Sequence, residues 1–334
     1  MLALSMTANG ADGETKAQME EVLGLPIEEL NEYLYSYVKA IMANEGYKLN
    51  ISNSIWFRNQ YITVKPEFLQ TNANYYGAGA FGGKFDKNTV KDMNKWISDA
   101  TDGMIENMVD EIDEGDLMYL INALIFDAKW KKPYEETAVR DGVFNALDGK
   151  EQTVKTMFSE ESRYIEDDNA IGFVKPFQGN RYSMAILLPN EDISVYDYVA
   201  QLTAEGLQNT LKDITMTVVN TKLPKFSYDF SAKMNDVLKD MGMEIAFRND
   251  ADFSKTGEVK GIDGKSLYIN KVVHKTKIQV DELGTVAGAS TYVSEKTDSY
   301  YPDTKYVYVD RPFVYMIVDN QTNLPLFMGV VTQI

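Results

Sequence analysis

The sequence holds a single histidine and no cysteine, which limits the catalytic chemistry available to it. His274 is the only side chain with an ordinary pKa near neutrality, so a Ser-His-Asp triad would have to use it. It lies within the strand-like segment LYINKVVHKTKIQV, residues 267–280, and the chain contains no nucleophile-elbow motif. A buried structural histidine is the favoured interpretation, and we do not expect an enzyme.

Metal and cofactor sites find equally little support. The absence of cysteine excludes disulfides, thiolate catalysis and cysteine-ligated zinc, and one histidine cannot form a metal-binding pair. The GxGxxG pattern at residues 77–82 follows a helix-like segment, FLQTNANYY, and does not open a helix, unlike a dinucleotide site. We interpret it as a flexible connection and expect no metal and no cofactor.

The segment DELGTVAGAST, residues 281–291, is the most unusual stretch of the chain. Alternate side chains of an extended strand point to opposite faces. With that spacing one face would carry only small or β-branched residues, namely Thr285, Ala287, Ala289, Thr291 and Val293. Such a face can slide between two existing strands, which suggests an exposed segment able to become a strand. An ordinary surface loop of small residues fits the same pattern.

Hydrophobic periodicity predicts the elements around this segment. Helices are predicted at residues 14–23, 27–43, 66–76, 88–100, 195–212 and 230–241. Strands are predicted near residues 117–130, 154–157, 171–174, 182–188, 214–226, 305–309, 313–318 and 326–331. The segment 117–130 is nearly continuously apolar, which favours the middle of a sheet covered on both faces. Helices early and strands late, without regular alternation, indicate an α+β fold in a single domain spanning residues 1–334.

Charge and hydropathy exclude further classes of partner. The chain carries 33 Lys and Arg against 50 Asp and Glu, a formal charge of -17, with no local basic patch. Such a field repels phosphate backbones, so nucleic-acid binding is not expected. No apolar run approaches the roughly 20 residues that a membrane-spanning helix requires. We therefore do not expect a membrane protein.

Several blocks of the chain together resemble the serpin family. They are GADGETKAQMEEVLGL, INALIFDAKWKKPY, KLPKFSYDF, MNDVLKDMGMEIAF with ADFS, LYINKVVHKTKIQVDELGTVAGAST and DRPFVYMIVDNQTNLPLFMGVV. They occur in the order of the family, and the resemblance covers essentially the whole chain. It implies three β-sheets, eight or nine helices and an exposed reactive-centre loop at about residues 282–305.

The resemblance also implies a function. A serpin traps a serine protease, or sometimes a cysteine protease, as a covalent acyl-enzyme while the cut loop inserts into the central sheet. An extracellular monomer is the implied setting. Non-inhibitory members usually carry bulky, charged or proline residues after the hinge, and this chain does not. A serpin-fold binding or structural protein remains the alternative.

The resemblance assigns roles to individual residues. Asn122 and His274 correspond to the shutter beneath the central sheet, and Trp130 corresponds to the breach where the loop enters. The hinge corresponds to Glu282, Gly284, Thr285, Ala287, Gly288, Ala289, Ser290 and Thr291.

The cleaved bond depends on how the loop is counted. Counting from Glu282 as the seventeenth residue before the bond predicts cleavage between Asp298 and Ser299, the bond that we favour. Counting back from residues 312–313 points to about Tyr301 instead. A trypsin-like protease would cut between Lys296 and Thr297, and a chymotrypsin-like one between Tyr300 and Tyr301.

Two features depart from the family pattern. The match lacks the family's first helix, the strand after it and the start of the second helix, from which the shutter usually receives serines. We expect either a late start or a trimmed variant. Glu295 would also be costly on the inward face if the strand extended that far.

Overall fold

The computed structural model describes residues 1–42, 47–260, 267–285 and 303–334. These residues form eight α-helices: α1 Leu2–Ala8, α2 Gly13–Leu23, α3 Ile27–Met42, α4 Pro66–Tyr76, α5 Lys87–Ala100, α6 Val195–Gln201, α7 Ala204–Lys212 and α8 Asn235–Asp240. None of these helices is long and apolar enough to cross a membrane.

Fifteen strands accompany the helices in the described residues. They are β1 Tyr47–Arg58, β2 Ile62–Val64, β3 Gly79–Gly83, β4 Met118–Ala128, β5 Val139–Asn145, β6 Glu151–Glu166, β7 Ala170–Pro176, β8 Tyr182–Pro189, β9 Thr215–Pro224, β10 Phe226–Lys233, β11 Gly257–Val259, β12 Val273–Val280, β13 Lys305–Tyr308, β14 Phe313–Asp319 and β15 Leu324–Val331. The mixture confirms the predicted α+β class.

The chain divides into two compact units, each assembled from separate stretches of sequence. One comprises Met1–Asn44, Leu49–Phe126 and Asp229–Lys277, and the other comprises Glu45–Lys48, Asp127–Tyr228 and Ile278–Ile334. Neither unit is a continuous stretch that could be separated from the other at one linker. The single domain over residues 1–334 stays a prediction.

The first unit combines most of the helices with short sheets. Strands β3, β1 and β4 form a three-stranded sheet in that order, and β10 pairs with β12 and β11 with β2. Asp86 caps helix α5, because its carboxylate accepts hydrogen bonds from the backbone N–H groups of Asn88 and Thr89. Its buried residues Met93 and Ile97 belong to an apolar cluster that also contains Trp56, Phe85, Val109 and Ile121.

The second unit is built on one eight-stranded sheet. The order is β13-β9-β6-β7-β8-β14-β15, and β5 pairs with β6. All seven residues of β14 are buried, as expected for a strand hydrogen-bonded to a neighbour on each side and covered on both faces. Among the described strands, β10 with β12 and β11 with β2 form separate two-stranded pairs beside the three-stranded and eight-stranded sheets.

Three local predictions are wrong in the structure. The glycine pattern at residues 77–82 is not a flexible connection: Gly77 ends α4 with a φ of 60°, and Gly79–Gly83 is strand β3, parallel to β1. The predicted helix at 230–241 is shorter, because the alternating segment FSYDFSAK pairs as β10 with β12. The predicted helix at 195–212 is divided into α6 and α7, since the Thr203 hydroxyl caps a new helix.

Strand β4 occupies a different place from the one its composition predicted. Among the described strands it lies at the end of the three-stranded sheet, with β1 as its neighbour, rather than in the middle. Its buried positions include Ile121, Ala123 and Ile125, which alternate along one face. The apolar run therefore belongs to a strand whose other edge has no partner strand in the described sheet order.

Candidate functional site

The predicted hinge begins as a tight turn directly after β12. The Asp281 carboxylate Oδ1 accepts hydrogen bonds from the backbone N–H groups of Leu283, at 2.8 Å, and Gly284, at 3.2 Å. The Asp281 N–H donates in turn to the Gly284 carbonyl at 3.0 Å. Aspartate favours such turns because its short side chain reaches backbone donors two residues further on. The turn fixes the direction in which the chain leaves β12.

Gly284 is required by a close backbone contact. It forms an isolated antiparallel bridge with Lys129. A Cβ atom at position 284 would lie 2.1 Å from the Ala128 carbonyl oxygen and 2.8 Å from the Lys129 Cα. Both obstacles are backbone atoms, so no side-chain rotation relieves the clash. Only glycine fits here.

Thr285 joins the chain to the end of β4. Its N–H donates to the Ala128 carbonyl at 2.9 Å, and its hydroxyl oxygen accepts from the Ala128 N–H at 2.9 Å. The residue is only 2% exposed. Two hydrogen bonds therefore hold the first small residue of the segment against β4.

Trp130 supports the same turn from the other side. Its backbone N–H donates to the Leu283 carbonyl at 2.9 Å, and its indole N–H donates to the Asp281 carbonyl at 2.8 Å. The ring is fully buried and stacks on Phe177, with centroids 4.5 Å apart and planes 7° apart. A buried indole usually finds a partner for its N–H, and here that partner is the hinge backbone.

Glu282 is held by backbone and by charge. Its carbonyl accepts from the Tyr134 N–H at 2.9 Å, and its carboxylate forms an ion pair with Lys225. Burial acts to raise the pKa of Glu282, but the Lys225 ammonium and the local backbone outweigh it and leave the pKa below 4.5. The carboxylate is therefore ionised near neutral pH and attracts Lys225.

Comparison with known proteins decides the family. The family model described as serpin, serine protease inhibitor, matches residues 1–334. An uncharacterized serpin-like protein of Thermococcus kodakarensis is 31% identical, over 98% of this chain and 77% of its own length. The chain belongs to the serpin family.

Two other relatives are similar over almost the same span. The leukocyte elastase inhibitor of Bos taurus is 29% identical to this serpin, over 98% of this chain and 89% of its own length. The native-state crystal structure of Tengpin, a thermophilic serpin, matches with a TM-score of 0.94 and 47% identity. It covers all of this chain and 86% of Tengpin. The serpin fold implied by the sequence is confirmed.

The two predicted shutter residues are not joined by a hydrogen bond in the described part of this serpin. Asn122 in β4 donates to the Asn53 side-chain oxygen at 2.9 Å, and Asn53 donates to the Tyr76 carbonyl at 2.8 Å. His274 lies near the start of β12, with its ring centroid 6.5 Å from that of Phe230. The shutter roles of Asn122 and His274 stay predictions.

The expectation of a buried histidine is wrong. The His274 side chain is exposed, whereas Ile278 and Val280 on the same face of β12 are buried. The strand is covered towards its end and not at its beginning, which periodicity alone does not reveal. No group of three metal-ligating side chains occurs in the part of the chain that the structure describes.

Most of the predicted reactive-centre loop lies outside the described residues, which resume at Asp303. This holds for the hinge positions Ala287, Gly288, Ala289, Ser290 and Thr291 and for all the candidate cleavage positions, Lys296, Thr297, Asp298, Ser299, Tyr300 and Tyr301. Their assignments stay predictions.

Sequence reasoning missed three residues that hold the hinge. Asp281, Tyr134 and Lys225 all contact it, and the last two lie in the blocks INALIFDAKWKKPY and KLPKFSYDF that carry the family resemblance. Tyr134 lies only four residues after Trp130 in the same block, which could have marked it as a further candidate for contact with the hinge. No feature of the sequence pairs Lys225 with Glu282, because the two lie far apart along the chain.

Proposed function

We propose that this serpin inhibits a serine protease by trapping it as a covalent acyl-enzyme. The observation that carries the proposal is the docking of Gly284 and Thr285 against the Ala128 backbone at the end of β4. The small residues of segment 286–291 follow directly in the sequence. The loop is thus attached at its first residues to the strand along which it would insert.

The chemistry begins as ordinary proteolysis. The protease's serine Oγ attacks the carbonyl carbon of Asp298, and the bond to the Ser299 nitrogen breaks as the protease's histidine delivers a proton to that nitrogen. An ester now joins the protease serine to Asp298. Water would normally hydrolyse this ester and release the protease.

Insertion of the cut loop competes with that hydrolysis. Residues after Thr285 would extend along β4 from Ala128 as a new strand, as peptides do when they extend a sheet. Roughly a dozen residues gaining ladder hydrogen bonds at about 0.5–1.5 kcal/mol each, together with burial of the small face, yield on the order of ten kcal/mol. This is comparable with the whole stability of a domain, about 5–15 kcal/mol.

Two consequences follow from this magnitude. The insertion is strong enough to distort a protease tethered to the moving segment, which blocks hydrolysis of the ester. The uncut chain is also less stable than the inserted form and is held in place by a kinetic barrier. Monomeric state and extracellular location stay predictions from the family.

A panel of trypsin-like, chymotrypsin-like and elastase-like proteases tests the proposal. We expect at least one protease to form a complex that survives denaturing electrophoresis. Mass spectrometry of the released C-terminal peptide identifies the cut bond: after Asp298, after Lys296 for a trypsin-like enzyme, or after Tyr300 for a chymotrypsin-like one. If every protease cuts the loop and leaves free, the inhibitory proposal fails and the non-inhibitory alternative stands.

A further inference from the structure

Large side chains are exposed on two neighbouring strands at the β13 end of the eight-stranded sheet. Tyr306 and Tyr308 of β13 are 57% and 37% exposed, whereas Val307 between them is fully buried. Met216 of β9 is 65% exposed. The two strands are parallel, with Tyr308 beside Lys222. Because alternate residues of a strand share a face, Met216, Lys222, Tyr306 and Tyr308 lie together on what we call the β9–β13 face.

Lys222 gives the face a cation that aromatic rings hold in place. Its Nζ lies 3.9 Å from the centre of the Tyr308 ring and 5.6 Å from the centre of the Phe158 ring in β6. On β5, the Arg140 guanidinium lies 5.6 Å from the centre of the same Phe158 ring. A cation is attracted by the negative charge density of a ring face. The rings therefore orient both cations while leaving hydrogen-bond donors available to a partner.

Carboxylates do not neutralise these two cations. In the part of the chain that the structure describes, neither Lys222 nor Arg140 forms an ion pair, and the nearby Asp141 pairs with Lys155. The exposed Glu160 of β6 lies opposite Asn220, two residues along β9 from Lys222. The chain carries 50 acidic residues against 33 basic ones, so cations without an acidic partner are notable. They favour a partner that brings its own carboxylates.

The end of the predicted reactive-centre loop is fixed to β9 beside this face. The Thr217 hydroxyl donates to the Asp303 carbonyl at 2.8 Å. A chain spans at most about 3.6 Å per residue, so Asp303 lies within about 18 Å of Asp298 and about 11 Å of Tyr300. A protease of about 230 residues has a radius of gyration of about 17 Å, hence a radius of about 22 Å. An enzyme that binds either bond can therefore contact the β9–β13 face.

We propose that the β9–β13 face is a second contact surface for the target protease, a role that rests on the proposed inhibitory function. Tyrosine and methionine are enriched in protein interfaces, and buried tyrosines often dominate the binding energy. Lys222 and Arg140 add attraction for carboxylates. The face fits an enzyme that presents carboxylates beside apolar groups at the rim of its active site. It selects among proteases that could cut the same bond.

The face acts before cleavage, whereas insertion acts after it. The second-order rate constant of complex formation depends on the encounter of the two proteins. The ratio of covalent complex to cleaved chain depends on the competition between insertion and hydrolysis. A change confined to the face is therefore expected to lower the rate constant and leave the ratio unchanged.

Tyr306→Ala tests the aromatic part of the face. With the protease that the panel identifies, it is expected to slow complex formation about tenfold. Tyr306→Phe keeps the ring and is expected to retain most of the rate. Tyr196→Ala removes a ring of similar exposure, 58%, from α6 and is the matched control. Equal rate constants for Tyr306→Ala and Tyr196→Ala overturn the proposal, and so does a fall in the ratio without a fall in the rate.

Lys222→Gln tests the charge. Complex formation by the parent chain is expected to slow as ionic strength rises, because salt screens the attraction. Lys222→Gln is expected to be slower than the parent at low ionic strength and to approach it at high ionic strength. Lys91→Gln, at an exposed position of α5, is the control and should keep the parent's salt dependence. The same salt dependence in Lys222→Gln would contradict the charge complementarity that the proposal requires.

Two further measurements separate this proposal from its alternatives. If sedimentation shows a dimer of the parent chain that Tyr306→Ala dissociates, the face binds a second copy and the proposal is overturned. If proteases cut the loop and none is trapped, the inhibitory function fails, and the rate of loop cleavage replaces the rate of complex formation. Slower cleavage of Tyr306→Ala then supports the face, and an equal rate overturns it. A panel in which no protease cuts the loop overturns both proposals.

Discussion

Thr285 is the residue at which the predicted reactive-centre loop contacts β4. Its N–H and hydroxyl both bond to the Ala128 backbone, and its side chain has no exposed space into which a longer group would extend. Under the proposed mechanism, whatever replaces it must enter the sheet as the loop inserts. We therefore expect the size and charge of this side chain to control insertion.

Thr285→Arg is expected to convert an inhibitor into a substrate. An unpaired guanidinium buried at this position costs several kcal/mol, so we expect the arginine to leave the contact with Ala128. Insertion that starts there should then slow, while the bond within residues 296–301 can still be cut. On denaturing gels the ratio of covalent complex to cleaved chain should fall about tenfold or more. Thr285→Ser retains the hydroxyl and serves as the matched control. An unchanged ratio in Thr285→Arg would contradict the insertion mechanism.

Glu282 should make hinge stability depend on pH. Because its folded-state pKa is depressed below 4.5, its ion pair with Lys225 stabilises the fold at neutral pH. This contribution is lost as pH falls through the folded-state pKa. Glu282→Gln is expected to lower the free energy of unfolding at pH 7 by about 1 kcal/mol or less, since the pair is partly exposed.

Urea unfolding at pH 7 and pH 3 provides the measurement for Glu282→Gln. The difference from the parent chain should shrink at the lower pH, because protonation of the Glu282 carboxylate removes the ion pair. Glu151→Gln, at an exposed position of β6, is the control and should show no such dependence. A difference that stays constant with pH would exclude the ion pair as its cause.

At the scale of elements, the approach of the hinge to β4 depends on the absence of a side chain. The end of β4 and the turn after β12 come within backbone contact at Gly284. A strand can be attached so closely to the edge of a sheet only where no Cβ intervenes. This contact sets the point from which a new strand would start.

Gly284→Ala is expected to force the two segments apart and to destabilise the native form by about 1–3 kcal/mol. Amide exchange at Ala128 and Thr285 should accelerate as well. Gly115→Ala is the matched control, because a Cβ at Gly115 would meet no atom within 4 Å. Equal stabilities for the two variants would show that the close contact relaxes freely.

At the scale of the whole molecule, the central prediction is a change of stability on cleavage. If the cut loop inserts, a gain on the order of ten kcal/mol should raise the melting temperature by on the order of 20 °C. Calorimetry of the uncut and cut chains measures this directly. Cut Thr285→Arg is the control and should show a much smaller rise. No rise in the parent chain would favour a non-inhibitory serpin.

Much of this organisation was predictable from local patterns. One histidine and no cysteine excluded most catalytic chemistry, because those residue types are required and cannot be supplied by folding. Alternation of small residues from Thr285 predicts a segment able to enter a sheet, since strand periodicity is a property of the backbone, and this stays a prediction because residues 286–302 lie outside the described part of the chain. The predicted helices matching α2 to α5 and the strands matching β13 to β15 followed from the same kind of pattern.

Tertiary structure alone decided the contacts that hold the hinge. The ion pair of Lys225 with Glu282 and the hydrogen bond from Trp130 to Asp281 join strands and turns whose register no local pattern specifies. Exposure of His274 likewise depends on what covers each end of β12. Composition and periodicity determine what a segment can become, whereas its partners are determined by which distant groups the folded chain brings within a few ångströms.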